Sequence, residues 1–169
     1  MATTAGATID VALFRLRRIW ARPLRTRKLG DSARPVQLSN VMVVRAVREL
    51  GAEIPEVTVG AVAEHLDVDP STASRLVNDA VCAGFVERRE SPTDARRAWL
   101  APSDMGLRVL SAVTRHRRAH LDTLLADWPV SDREQFARLL TRFAEAQAAR
   151  PVDLGRLDEV IAEAMAEGE

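Results

Sequence analysis

Val59-Gly-Ala-Val-Ala-Glu-His-Leu66, then Asp67-Val-Asp69, then Pro70-Ser-Thr-Ala-Ser-Arg-Leu-Val-Asn-Asp-Ala-Val-Cys-Ala83 is the stretch that decides the fold. It reads as two short helices with three residues between them. Asp69 ahead of Pro70 is a strong start signal, a carboxylate cap followed by the one residue whose missing N–H costs nothing in the first turn. Gly84 ends the second helix. Two helices that cross steeply need a small residue at the crossing, and Ala63 supplies it. Val62, Leu66, Val68, Ala73 and Leu76 fit the packing faces of both helices. Ser71, Thr72, Ser74 and Arg75 are left for the outer face. Asp67 stands where such a turn usually has glycine, and it tolerates a left-handed backbone less readily.

Working outward, Phe85-Val-Glu-Arg-Arg89 alternates like a strand, Ser91-Pro-Thr-Asp94 reads as a loop, and Arg97-Ala-Trp-Leu-Ala101 can return as a second strand. The outline is a winged helix-turn-helix. Upstream, Ile9, Leu13, Leu16, Ile19 and Trp20 form one stripe of a helix expected over 8–24, and a second helix is expected over 39–50 with Val43, Ala46, Val47 and Leu50 inward. Downstream, a long helix runs from Pro102 to about Trp128. Another follows with Phe136, Leu139, Leu140, Phe143 and Ala144 on one face. Past Pro151 comes an acidic amphipathic stretch carrying Leu154, Leu157, Val160, Ile161 and Met165. The fold class is mostly α with a small β-hairpin wing, plus N- and C-terminal dimerisation helices. Three long amphipathic helices offer more apolar stripe than a small winged core can cover, so a second subunit is expected to cover it.

The 169 residues are 47% apolar and 28% charged, an ordinary globular composition, and 24 cations against 24 carboxylates exclude a strongly basic chromatin-coating protein. The balance is uneven. Residues 1–34 carry eight cations against Asp10 and Asp31, whereas 35–70 hold two arginines against six carboxylates. All the cations but Lys28 are arginine, the side chain whose rigid fork suits phosphate and base edges. A single cysteine, Cys82, excludes an internal disulfide framework and a four-cysteine zinc site. The N-terminus lacks a basic segment followed by an apolar run, and the longest apolar runs are like Val41-Met-Val-Val44. The expectation is a soluble cytoplasmic protein with no membrane partner.

The outward residues of the second helix suit duplex DNA. Ser71 and Thr72 lie in its first turn, where hydroxyls and free N–H groups can hold a phosphate. Arg75, one turn deeper, can reach guanine O6 and N7 in the major groove. The plainer reading of each hydroxyl is local capping. On the wing, Arg96 can enter the narrow minor groove with Asp94 bracing a guanidinium, and Arg97 can meet phosphate.

At this point the sequence resembles the MarR family of bacterial transcriptional regulators. That family's wing signature is Asp-x-Arg, five residues, then Leu-Thr-x-x-Gly. Here it reads Asp94-Ala-Arg96, Arg97 to Ala101, then Pro102-Ser103-Asp104-Met105-Gly106. Pro70 to Val77, Gly84-Phe-Val86 and Arg88-Arg89 also resemble the family's recognition helix and following strand. Asp79-Ala-Val81 departs from the usual Arg, Leu and Glu, removing one possible phosphate contact. The resemblance covers about 9–150. It implies a flexible N-terminus over 1–7, a MarR-type domain over 8–150 and an acidic helix or tail over 151–169. Within that domain the winged core is about 39–101, with dimerisation helices at about 8–30 and 102–150. It also implies a homodimer whose two recognition helices read a pseudo-palindromic double-stranded DNA operator, ~34–36 Å apart. The expected role is repression relieved by a small, aromatic or phenolic effector, with Trp20 and His116 as candidate ligand contacts.

His116 and His120 have the spacing at which two imidazoles can share a metal, but arginines surround the pair and no carboxylate or cysteine lies at ligand spacing, so a metal-sensing regulator is a rival only in its effector. His65 reads as surface or a phosphate contact. Cys82 reads as a buried structural cysteine rather than a redox switch. Trp20, Trp99 and Trp128 read first as core. No glycine-rich phosphate loop, nucleophile elbow or acid/base carboxylate pair is present, so neither an enzyme nor a cofactor is expected. The rival from another class is a winged helix serving only protein interaction or dimerisation, which the acidic 35–70 stretch keeps open.

Overall fold

The computed structural model describes residues 4–20, 37–90, 98–150 and 153–166. The chain divides into two compact units, Met1–Arg117 and Arg118–Glu169. In order, the first holds α1 (Thr4–Trp20), α2 (Leu38–Leu50), α3 (Val59–Leu66), α4 (Pro70–Cys82), β1 (Val86–Glu90), β2 (Ala98–Pro102) and most of α5 (Asp104–Leu124). The second holds the end of α5, then α6 (Val130–Ala149) and α7 (Leu154–Ala166). No helix among the described residues is long and apolar enough to cross a membrane.

The winged core is built on valine. Val43, Val44, Val47, Val57, Val62, Val77 and Val86 are all essentially sealed from solvent, with Ala73 and Ala80 letting α4 approach closely. Leu50, expected inward, packs half-buried at the edge of this cluster. β1 and β2 pair antiparallel with Arg88 opposite Leu100 and Arg89 opposite Trp99. Leu100 N–H also donates to Val57 C=O at 2.8 Å, so the stretch ahead of α3 joins the edge of the hairpin.

Local chemistry sets the helix ends. The Thr58 side chain caps α3 by accepting from Ala61 N–H at 3.2 Å. At its other end Asp67 adopts the left-handed conformation (φ 52°), and Val68 N–H and Asp67 N–H bond back to the carbonyls of Ala63 and Glu64. The aspartate thus does the work of the missing glycine. α4 ends the same way on Gly84 (φ 74°), with Phe85 N–H on Ala80 C=O and Gly84 N–H on Val81 C=O. This is why β1 begins at Val86 rather than at Phe85, whose backbone is used in closing α4.

Two further differences have local causes. α1 starts at Thr4, inside the stretch expected to be flexible, because alanines 5 and 7 favour helix and the Thr8 hydroxyl donates to Thr4 C=O at 2.9 Å. The long helix α5 stops at Leu124 rather than near Trp128. Arg133 holds the turn there, its guanidinium donating to the carbonyls of Ala126 (2.7 Å) and Trp128 (3.0 Å). In the second unit α6 buries no residue, and Phe136, Leu139, Leu140 and Phe143 are exposed. On α7 Leu157, Val160, Ile161 and Met165 are exposed as well.

Candidate nucleic-acid interface

The first turn of α4 is organised by Asp69. One carboxylate oxygen accepts from Thr72 N–H (2.8 Å) and the Ser71 hydroxyl (2.6 Å), and the other from the Thr72 hydroxyl (2.6 Å). The Ser71 and Thr72 hydroxyls, with the Thr72 amide, hold the Asp69 carboxyl far below the ordinary carboxylate range. Both hydroxyl protons are therefore engaged by the helix's own cap. Further along, Ala73, Val77 and Ala80 form the buried stripe, so Ser74, Arg75 and Asn78 share the exposed face. None of these three has a side-chain partner among the described residues. Asn78 escaped the sequence reading, although its spacing from Ser74 and Arg75 places it on their face.

The base of the wing is braced. The Arg89 guanidinium lies 5.4 Å from the Trp99 ring centre and pairs with Glu87 at 3.1 Å, while Trp99 Nε1 donates to Glu90 C=O at 3.2 Å. Trp99 is therefore a half-buried platform for an arginine rather than a core side chain. Asp94, Arg96 and Arg97, the predicted wing-tip residues, lie outside the described residues.

Cys82 is exposed, contrary to the expected burial. It follows Asn78 by four residues and so continues the outer face of α4, off the Ala73–Val77–Ala80 stripe. Among the described residues no three His, Cys, Asp or Glu side chains gather as a metal site, and His116 and His120 both face solvent.

A cleft of about 310 Å³ opens between α2, α3 and the first part of α5. Leu38, Val41, Met42, Leu66, Leu110 and Val113 make its apolar walls, and Arg45, Glu49, His65 and Arg117 its charged rim. Glu49 accepts from Arg45 Nε at 2.8 Å and lies 3.3 Å from His65 Nε2. Partial burial works to raise the Glu49 carboxyl, but hydrogen bonding and charge from Arg45 and His65 prevail and lower it. His65 is exposed, as the surface reading has it, and through Glu49 it ties α3 to α2. His116 is not among the lining residues, and the Trp20 side chain lies outside the described ones.

Residues 39–97 match the sequence model of the MarR family. An HTH-type transcriptional regulator of Mycobacterium leprae, ML2140, is 30% identical over 116 residues, covering 69% of this chain and 73% of that one. The chain belongs to the MarR family. Solved structures share the fold. A MarR family protein from Bacillus stearothermophilus superimposes with a TM-score of 0.65 at 18% identity, over 88% of this chain and 99% of that one. PcaV from Streptomyces coelicolor, solved with its natural ligand, gives 0.52 at 22% identity over 86% and 94%. As a MarR-family member the protein is a DNA-binding transcription regulator, not an enzyme.

The geometry also explains the MarR-type signature after the wing. The Ser103 hydroxyl donates to Gly84 C=O (2.7 Å) and accepts from Gly106 N–H (3.0 Å), while Ser103 N–H donates to Phe85 C=O (3.0 Å). Ser103 thus caps α5 and clips it to the exit of α4. A Cβ on Gly106 would sit 2.1 Å from the Phe85 carbonyl oxygen, so no larger residue fits where α5 crosses that backbone.

Proposed function

We propose that this MarR-family protein is a homodimeric cytoplasmic repressor, released from a pseudo-palindromic operator by a small carboxylate with an apolar or aromatic body. The observation that carries the DNA-reading half is the exposed face of α4, where Ser74 and Arg75 stand without partners beside a first turn that is already self-satisfied. Arg75 reads guanine and Ser74 positions the helix on the backbone. Ser71 and Thr72 stand at the groove edge, and they meet phosphate only by giving up their bonds to Asp69. Arg96 enters the minor groove, Asp94 orients a guanidinium, and Arg97 lies on phosphate. Replacing Arg96 with alanine is expected to cost about 1–3 kcal/mol of operator affinity. An unchanged isotherm at fixed salt would remove the wing from the reading.

The apolar faces of α6 and α7, exposed in the single chain, support the homodimer. The cleft supports the effector assignment. Its volume of about 310 Å³ suits a one-ring compound, and Arg117 is an unpaired cation among the described residues, at the rim of apolar walls. Arg117 and Thr114 are the polar groups offered to such a ligand from α5. A carboxylate drawn to Arg117 and Arg45 competes with Glu49, and Glu49 is the group facing His65 on the first helix of the helix-turn-helix. The ligand shifts the DNA-binding equilibrium only by its preference for the released arrangement. The test is operator release, followed by fluorescence anisotropy, with benzoate and hydroxybenzoates. Release by the wild type and at least tenfold weaker release from Arg117→Ala is the expected result. Equal release from both would place the effector elsewhere.

A further inference from the structure

The outer face of α4 is split. Its first turn spends its hydroxyl protons on Asp69, while the next two turns present Ser74, Arg75 and Asn78 with no partner among the described residues. We propose that Asn78 is a second base-reading residue, recognising an adenine in the major groove beside the base pair read by Arg75. This assignment rests on the operator-binding reading of α4.

Asn78 is three residues beyond Arg75 and four beyond Ser74, on the face opposite the buried Ala73–Val77–Ala80 stripe. Three residues advance an α-helix by about 4.5 Å, against about 3.4 Å between base pairs along one strand. A helix lying in the groove therefore sets Arg75 and Asn78 over neighbouring base pairs. The Asn78 carboxamide carries an acceptor oxygen and a donor NH2 side by side, which matches adenine N6 and N7 in a bidentate pair, whereas the Ser74 hydroxyl has a single oxygen and cannot span both. Asp79, also exposed, offers acceptors alone and cannot complete that pair. Asparagine is a poor residue for a helix interior because its side chain competes for backbone hydrogen bonds. Here the side chain makes no such bond among the described residues, so its amide is available to a ligand.

The test is a random-sequence duplex selection with the full chain as wild type, Asn78→Ala and Arg75→Ala. Circular dichroism melting serves as a fold check, because both side chains are exposed. The wild type is expected to enrich a half-site with a guanine next to an A·T pair. Asn78→Ala keeps the guanine and loses preference at the A·T position. Arg75→Ala does the reverse. On the enriched duplex, changing that A·T to G·C weakens wild-type binding roughly tenfold and leaves Asn78→Ala binding within twofold. Recovery of the wild-type half-site by a folded Asn78→Ala variant overturns the assignment. So does a uniform loss of affinity across sequences, which marks a phosphate contact. If the wild type itself enriches no motif, the operator reading falls, and this assignment with it.

Discussion

The two units of the chain are built on opposite principles. In the winged core, seven valines are sealed from water and the helix ends are closed by Thr58, Asp69, Ser103 and two left-handed caps. In the second unit α6 buries nothing, and its apolar stripe of Phe136, Leu139, Leu140 and Phe143 is exposed. Composition does not separate them, since both carry amphipathic helices. The difference is that the core helices have each other and a β-hairpin to pack against, whereas α6 and α7 leave apolar faces in solvent, the faces assigned above to the proposed dimer.

Matched substitutions can break or sharpen that contrast. The largest effect is expected from Gly106→Ala, whose new methyl meets the Phe85 carbonyl oxygen at 2.1 Å. It should cost about 3 kcal/mol in urea unfolding, the upper end of overpacking. A loss below 1 kcal/mol would mean that α5 is not clipped to the exit of α4. Next is Phe143→Asp, which places a carboxylate in the exposed stripe of α6. It should weaken the proposed dimer at least tenfold in sedimentation equilibrium and leave the melting of the winged core in place. An unchanged association constant, or a monomeric wild type, would contradict the role given to this face. Gly155→Ala makes the same chemical change as the first substitution, but in α7, where the nearest atom is an Asp153 oxygen at 3.4 Å. Here alanine should stabilise by about 0.5–1 kcal/mol.

The smallest effect is confined to acid. The Asp69 carboxyl is held down by the Ser71 and Thr72 hydroxyls, so its folded value lies below its unfolded one. Its stabilisation is therefore complete above the ordinary aspartate range, near 4, and is lost as pH falls below it. Melting temperatures between pH 7 and 2.5 should fall more steeply for the wild type than for Asp69→Asn. Parallel curves would show that the cap is not titrating.

Much of the winged core was legible because local rules decide it. Asp69-Pro70 marked the start of α4, Gly84 its end, and the spacing of Ala63, Val62 and Leu66 the crossing of two helices. Thr58 obeys the same capping rule just ahead of Val59 and was within reach of it. Asn78 and Cys82 were legible in principle too, because helical spacing from Arg75 puts both on the outer face. The contacts that join distant segments were not legible. Nothing in the sequence around His65 announces Glu49, sixteen positions earlier, as its partner. Gly106 was recognisable only as part of a pattern, since its reason is a carbonyl twenty-one residues away that leaves no room for a side chain. Such effects depend on where backbones meet, and periodicity carries no information about that.

That the exposed face of α4 reads a DNA sequence is best checked by mobility shift of this 169-residue chain on duplex DNA from beside its own coding sequence. The experiment uses two salt concentrations, unrelated DNA as competitor, and Arg75→Ala in parallel. The expected shift weakens with salt, survives the competitor and is lost in the variant. A shift that the competitor abolishes, or one that Arg75→Ala retains in full, would rule out sequence reading by this face.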